Sequence, residues 1–232
     1  MVKYLLLISG IVIIFSCKSP LRKQENKSKY FEGFVEFSLS YNAADPKYIN
    51  NMRKVYGTKA ITYLGKNGFF SREYIDANNI VTLREIYRPD SLRFYESLAS
   101  GNTISCFDVT RPTPDFIFEG INKSNSLKIL SHHVDELHAK MIEPHVKNDT
   151  GFVYASYFND PRYPVDPLTY KRFVHESVEE IFSKSPYLTT GLKLQYSNKL
   201  SMFFVATRIV PSHIPSWHFE IPKNKTIVYQ TK

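Results

Sequence analysis

The chain has 232 residues, 43% of them hydrophobic and 15% aromatic, and a formal net charge of +8. Most of that excess lies before residue 30: residues 30–232 carry 24 bases against 21 acids, a net of +3. A nucleic-acid-binding fold concentrates Lys and Arg in its folded body, and this one does not, which argues against nucleic acid as a partner.

Residues 4–15, YLLLISGIVIIF, are an apolar run broken only by Ser9 and Gly10. The run is shorter than the roughly 20 residues of a bilayer-spanning helix. With Lys3 before it and small Ser16 after it, residues 1–16 read as a signal peptide. Ile14-Phe15-Ser16-Cys17 resembles the lipobox of bacterial lipoproteins. The resemblance implies a diacylglyceryl group on the Cys17 thiol, cleavage just before it, acylation of the palmitate kind, and a membrane held through an N-terminal lipid anchor. Lys18 rather than Asp follows the cysteine, which by analogy with lipoprotein sorting implies the outer membrane, with the body facing the periplasm. Residues 17–29 then form a basic, disordered tether, with Lys18, Arg22, Lys23, Lys27 and Lys29 against Glu25 alone. Each base gains about 1 kcal/mol beside an anionic surface. With Cys17 acylated, Cys106 has no disulfide partner and is expected to be a small buried hydrophobe.

From Phe31 the pattern turns to period two. Phe31, Val35, Phe37, Leu39 and Tyr41 share one side, and Glu32, Glu36, Ser38 and Ser40 the other, as in a half-buried antiparallel strand. "DPKYINNMRKVYG" at 45–57 predicts a helix with Asp45 as N-cap, Pro46 at the first position and Gly57 as its end. Its apolar stripe is Tyr48, Ile49, Met52, Val55 and Tyr56. Further strands are predicted at 59–64, 68–75, 80–87, 91–98, 103–109, 115–119, 126–142 with a break, 151–158, 190–197, 201–209 and 217–221. Hairpin turns are predicted at 65–68 and 197–199. Asp166 and Pro167 open a second helix, 167–183, with Tyr170, Phe173, Val174, Val178, Ile181 and Phe182 as its stripe. Evenly spaced strands argue for a large antiparallel sheet or an incomplete barrel, and residues 30–232 suit one domain.

The opening strand "FEGFVEF", the closing Ala206-Thr207-Arg208-Ile209 and the final Phe219-Glu220-Ile221-Pro222 resemble the lipoprotein-carrier (LolA/LolB-like) half-barrel superfamily over residues 31–222. Within it, the closest likeness is to poorly characterised envelope proteins. The Gly-x-x-Cys that many such proteins carry after Ile-Leu is replaced here by "KILSHHVDEL". The resemblance implies a mainly β, α+β fold: one highly curved antiparallel sheet, a half-barrel, with two or so helices on its concave face.

Catalytic and metal signatures are missing. In "SHHVDELH", His132, Glu136 and His138 would share a strand face. However, His132 and His138 would stand about 20 Å apart on a strand, and the spacing is not that of HExxH. No GxSxG, SxxK or CxxC occurs. Adjacent Glu179 and Glu180 diverge on a helix, and "LGKNG" is not a phosphate-binding loop. His213 and His218, on either side of Trp217, read as a loop and an outward strand position. No catalytic residue, metal ligand or cofactor is therefore expected, and the chain reads as non-enzymatic. Its first reading binds a lipid or other hydrophobic ligand on the concave face through Phe37, Leu39, Tyr41, Phe203, Val205 and Ile209. The alternative is a scaffold or interaction subunit of an envelope complex, its concave face filled by its own helices. A hydrolase assembled from distant residues is the third.

Cys17→Ser is expected to abolish acylation and move the chain out of the membrane fraction. Fractionation with intact-mass measurement checks this, and equal membrane retention with no acyl mass in the parent would refute the lipobox assignment.

Overall fold

The computed structural model describes residues 29–111, 116–122, 127–143, 151–175, 178–196 and 200–230, with 116–122, 141–143 and 151–152 as backbone. The expected signal peptide, Cys17, nearly all of the tether and the turn at 197–199 lie outside the described residues. In chain order the elements are β1 (Gly33–Asn42), α1 (Pro46–Tyr56), β2 (Lys59–Leu64), β3 (Phe70–Ile75), β4 (Val81–Arg88), β5 (Arg93–Leu98), β6 (Thr103–Asp108) and β7 (Phe116–Asn122). A short hairpin of β8 (Lys128–Ile129) and β9 (His132–His133) follows, then β10 (Asp135–Glu143), β11 (Gly151–Pro164), α2 (Val178–Lys184), β12 (Tyr187–Tyr196), β13 (Ser201–Pro211) and β14 (Thr226–Tyr229).

Among the described residues the fold is mainly β, with 52% strand and two α-helices. One sheet runs in the order β14-β6-β5-β4-β3-β2-β1-β13-β12-β11-β10-β7. All its pairings are antiparallel except that of β14 with β6. The sheet is neither strongly curled nor closed.

Alternation in β1 buries Val35, Phe37 and Leu39 while Ser38 and Ser40 face solvent. Opposite it, β13 carries a bulge. Phe37 pairs with Ala206 and Glu36 with Arg208, leaving Thr207 as the extra residue. Thr207 Oγ1 donates to the Glu36 carbonyl at 3.2 Å. The bulge shifts which residues point inward: Met202, Phe204 and Ala206 are buried, and Ile209 rejoins the same cluster beyond the extra residue.

Helix α1 follows its sequence signals. The Asp45 carboxylate accepts from the Lys47 N–H at 2.8 Å, and Gly57 ends the helix at φ 65°. A Cβ on Gly57 would lie 2.0 Å from the Ile75 carbonyl oxygen, so both conformation and space require glycine there. Ile49, Met52, Val55 and Tyr56 are half-buried against the sheet, while Tyr48 is exposed.

Among the described residues, the expected helix at 167–183 is not continuous. Asp166 caps a 3-10 turn, Pro167–Tyr170, accepting from the Leu168 N–H at 3.0 Å. The helix then breaks because the Val174 and His175 N–H groups donate to the Val109 carbonyl, at 2.8 and 3.1 Å, rather than to their own chain a turn earlier. Helix α2 restarts at Val178. The break seats Phe173 on Tyr87, ring centroids 4.4 Å apart, and Tyr170 stacks on Phe182 at 4.3 Å.

The expected strand at 217–221 is also corrected. Residues Ser216–Phe219 form a 3-10 turn in a C-terminal strap that crosses the sheet's outer face. There Ile221 packs on a second cluster of Ile86, Tyr95, Ile104 and Cys106. Pro215 and Pro222 bracket the turn and lack the N–H groups a paired strand would use.

Phe173 and Ile181 are both buried, so Phe173→Ala is expected to cost about 3–5 kcal/mol and Ile181→Ala about 2–5 kcal/mol. Val205→Ala, at an exposed position, should stay within about 0.5 kcal/mol. Urea unfolding of the three variants tests this ranking.

Candidate functional site

The inner face, where a hydrophobic ligand was expected to lie, is occupied by protein. Phe37 is 5% exposed and Leu39 6%. Phe204 packs edge-on against Phe37 at 6.4 Å and against Tyr74 at 6.2 Å. Tyr41 is half-buried, its hydroxyl donating to the Gly57 carbonyl at 2.8 Å, and Ile209 is partly buried beside the same cluster. Phe37, Leu39, Tyr41 and Ile209 thus share the inner side. Phe203 and Val205 are on the outer side, paired with outward-facing Ser40 and Ser38, because counting back from Ile209 in steps of two crosses the Thr207 bulge.

A polar network in this interior went unnoticed in the sequence. Arg72 Nε donates to Thr62 Oγ1 at 2.9 Å, and Tyr74 Oη donates to Glu85 Oε1 at 3.0 Å. Arg72 Nη1 lies 3.6 Å from Glu85 Oε2, and the guanidinium lies over the Phe70 and Phe204 rings. Burial works against the Arg72 charge, but Tyr74 and Glu85 outweigh it and its pKa is raised. Burial, then Glu85, pushes Tyr74 well above its ordinary value. The available signal was parity: Thr62, Arg72 and Glu85 pair across β2, β3 and β4 at positions continuous with Tyr74.

At one end of the sheet, two adjoining clefts of about 190 and 520 Å³ share Glu32, Lys66 and Asn67. The smaller reaches Phe31, Leu64, Val165 and Tyr170 at the mouth of the inner face. The larger is rimmed by Arg88, His213 and Glu220. Glu32 Oε1 accepts from the Ile214 N–H at 3.1 Å and lies 2.8 Å from His213 Nδ1. The carboxylate thereby ties the end of β13 to the start of β1. Of the rim cations, Arg88 is held by Asp90, outside the clefts, at 2.6 Å.

Among the described residues, His132 and His138 do not converge. His138 bonds Ser156 Oγ at 3.0 Å and sits 3.5 Å from Glu136. His132 belongs to the separate β8–β9 hairpin. Among the described residues, no three of His, Cys, Asp and Glu gather closely enough to hold a metal ion.

His218, expected to face outward on a strand, is 8% exposed. Its ring lies 3.9 Å from that of Tyr63 and 3.5 Å from that of Trp217, and its carbonyl accepts from Arg84 Nη2 at 2.7 Å. Its Nδ1 is buried with no hydrogen-bond partner among the described residues. Burial, and secondarily the Arg84 charge, holds its pKa below the ordinary imidazole value.

No protein-family model matches the chain, and no curated protein matches it either.

A pH dependence follows from His218. The unfolded imidazole takes its proton near pH 6.5 and the folded one only at lower pH, so stability is full above about 6.5 and falls as pH drops below it. His218→Phe keeps a ring against Tyr63 and should flatten the loss of urea midpoint between about pH 7 and 5. An unchanged slope would assign the effect to another group.

Proposed function

We propose that the chain is a non-enzymatic envelope lipoprotein, anchored to the outer membrane through Cys17 and facing the periplasm. In this reading its folded body is a scaffold or interaction module rather than a lipid carrier. The observation that carries the choice between these two is the filled inner face: Phe37, Leu39 and Phe204 are all buried, Phe204 packs on the Phe37 and Tyr74 rings, and Met52, Val55, Tyr56 and Phe182 from the helices pack against the same cluster. Close packing of this kind, the rule in protein interiors, works against a site for an acyl chain. Kinship with the half-barrel carriers belongs to the same proposal. Helical segments laid on one face of an antiparallel sheet support it, and the weak curl of the sheet counts against it.

A carrier reading keeps one observation in its favour. The smaller rim cleft ends on Phe31, Leu64, Val165 and Tyr170, an apolar floor that a ligand could extend inward if Tyr170 and the 3-10 turn moved aside.

Native mass spectrometry of the full chain extracted from its own envelope separates the two. The scaffold reading expects no stoichiometric non-covalent lipid and no saturable binding of a fluorescent fatty acid. It further expects a reproducible protein partner after chemical crosslinking. One lipid per chain, displaced by the fatty acid, would overturn it in favour of a carrier.

A further inference from the structure

The β8–β9 hairpin and the outer face of the sheet beside it form a basic and apolar surface that the scaffold reading leaves unused. Ile129 and Val134 anchor the hairpin, at 6% and 1% exposure. Ile129 reaches Gly191, where a Cβ would lie 2.7 Å from Ile129 Cδ1, on the side that Gly191 shares with its cross-strand partner Val205, while Ile129 and Val134 also join the main core cluster. Leu127 and Leu130 point away from this anchor, each 39% exposed. Leu130 and Ser131 form the tip with φ of 49° and 66°. That left-handed region suits Gly or Asn and is uncommon for leucine, so turn formation alone does not account for an exposed leucine there. Lys128, His132 and His133 surround the tip and are exposed.

One cross-strand row continues from the hairpin: Gly191, Val205, Ser38 and Lys59. The next row carries Lys193 and Phe203, with the Lys193 ammonium 5.5 Å above the Phe203 ring. Of the acids on this face, Glu36 is paired with Arg208 at 3.2 Å, and Glu136 lies 3.5 Å from His138. Lys59 and Lys193 have no acidic partner among the described residues. Upstream, the sequence before Tyr30 is itself basic, with five Lys and Arg against Glu25 between residues 18 and 29. Apolar groups ringed by uncompensated bases are complementary to a surface that offers phosphate above hydrocarbon.

We propose that this face is a second membrane contact, which lays the folded body on an anionic lipid surface with Leu130 entering the interface and Lys59, Lys128 and Lys193 meeting phosphates. The proposal rests on the reading that the chain is held at a membrane, and it adds the orientation of the body there.

The test is amide hydrogen exchange of residues 127–134 in the full chain. It compares vesicles of phosphatidylcholine alone with vesicles carrying roughly 30% phosphatidylglycerol. Exchange of the vesicle-bound chain should be about fivefold or more slower on the anionic surface. The Lys59→Glu/Lys193→Glu variant, and separately Leu130→Ser, should lose that difference while exchanging like the parent in solution. Equal exchange on both vesicles, failure of the parent to bind the anionic ones, or full protection in the charge-reversed variant would each overturn the proposal. So would protection that appears only on adding envelope proteins or on raising the chain's own concentration, which would assign the face to a protein partner or a second copy. The fraction of Cys17→Ser chain bound to the same vesicles reads the anchor separately, so loss of the anchor and loss of the docking face are distinguishable.

Discussion

The structure depends on the pairing of β1 with β13. Two sets of antiparallel strands, β2 to β6 on one side and β10 to β12 with β7 on the other, are each built from neighbours in the chain. Among the described strands, the ladder from Gly33–Pro211 to Asn42–Ser201 joins them. It sets residues about 170 positions apart side by side, as in the Arg208–Glu36 contact. The Thr207 bulge within it decides which β13 side chains enter the core, and Glu32, gripping Ile214 and His213, fixes the same junction at the sheet's end. A slip of one residue would turn Met202 and Phe204 outward and bring Phe203 and Val205 in.

Against this apolar junction lies the ionic group of Arg72 and Glu85. Such a pair adds little net stability, because removing two charges from water costs as much as their attraction returns. Here the cost is met by dense hydrogen bonding: Thr62 accepts from the guanidinium, Tyr74 bridges to the carboxylate, and aromatic rings cover the flat face of Arg72. A misplaced β3 or β4 would leave one charge buried and alone, so the network penalises wrong registers more than it stabilises the right one. The same interior holds Tyr87 and Tyr170, so aromatic hydroxyls accompany this ion pair among the apolar side chains. A face of this composition is built to be solid.

Much of this architecture was legible in the residues. The alternation of Val35, Phe37 and Leu39, and the Asp45-Pro46 start with the Gly57 stop, are local signals whose physics acts within a few residues, and both elements formed where expected. What escaped was decided at long range. The helix expected over 167–183 has a sound amphipathic stripe, yet the Val109 carbonyl captures two of its N–H groups from a distant part of the chain. The bulge that places Phe204 rather than Phe203 in the core is a single inserted residue with no mark of its own in "SMFFVATRIV". Strand β14 pairs in parallel with β6, and nothing in "TIVY" names a partner more than 100 residues away. Arg72 and Glu85 were readable by parity, but charged residues on an apolar side are normally read as the end of a strand's buried face.

The C-terminal strap has a consequence in redox chemistry. Cys106, 1% exposed, lies beneath it with Ile221 packed on its cluster, and burial pushes its thiol pKa up. The thiolate is the species that oxidises and exchanges, so a buried, neutral thiol is inert where an exposed one is not. In the oxidising compartment, and with the lipid on Cys17, that the proposed function implies, Cys106 is the one thiol left without a natural mate. The last turn, Ile221 and β14 therefore do for this cysteine what a disulfide partner would otherwise do, keeping two copies of the chain from joining through it.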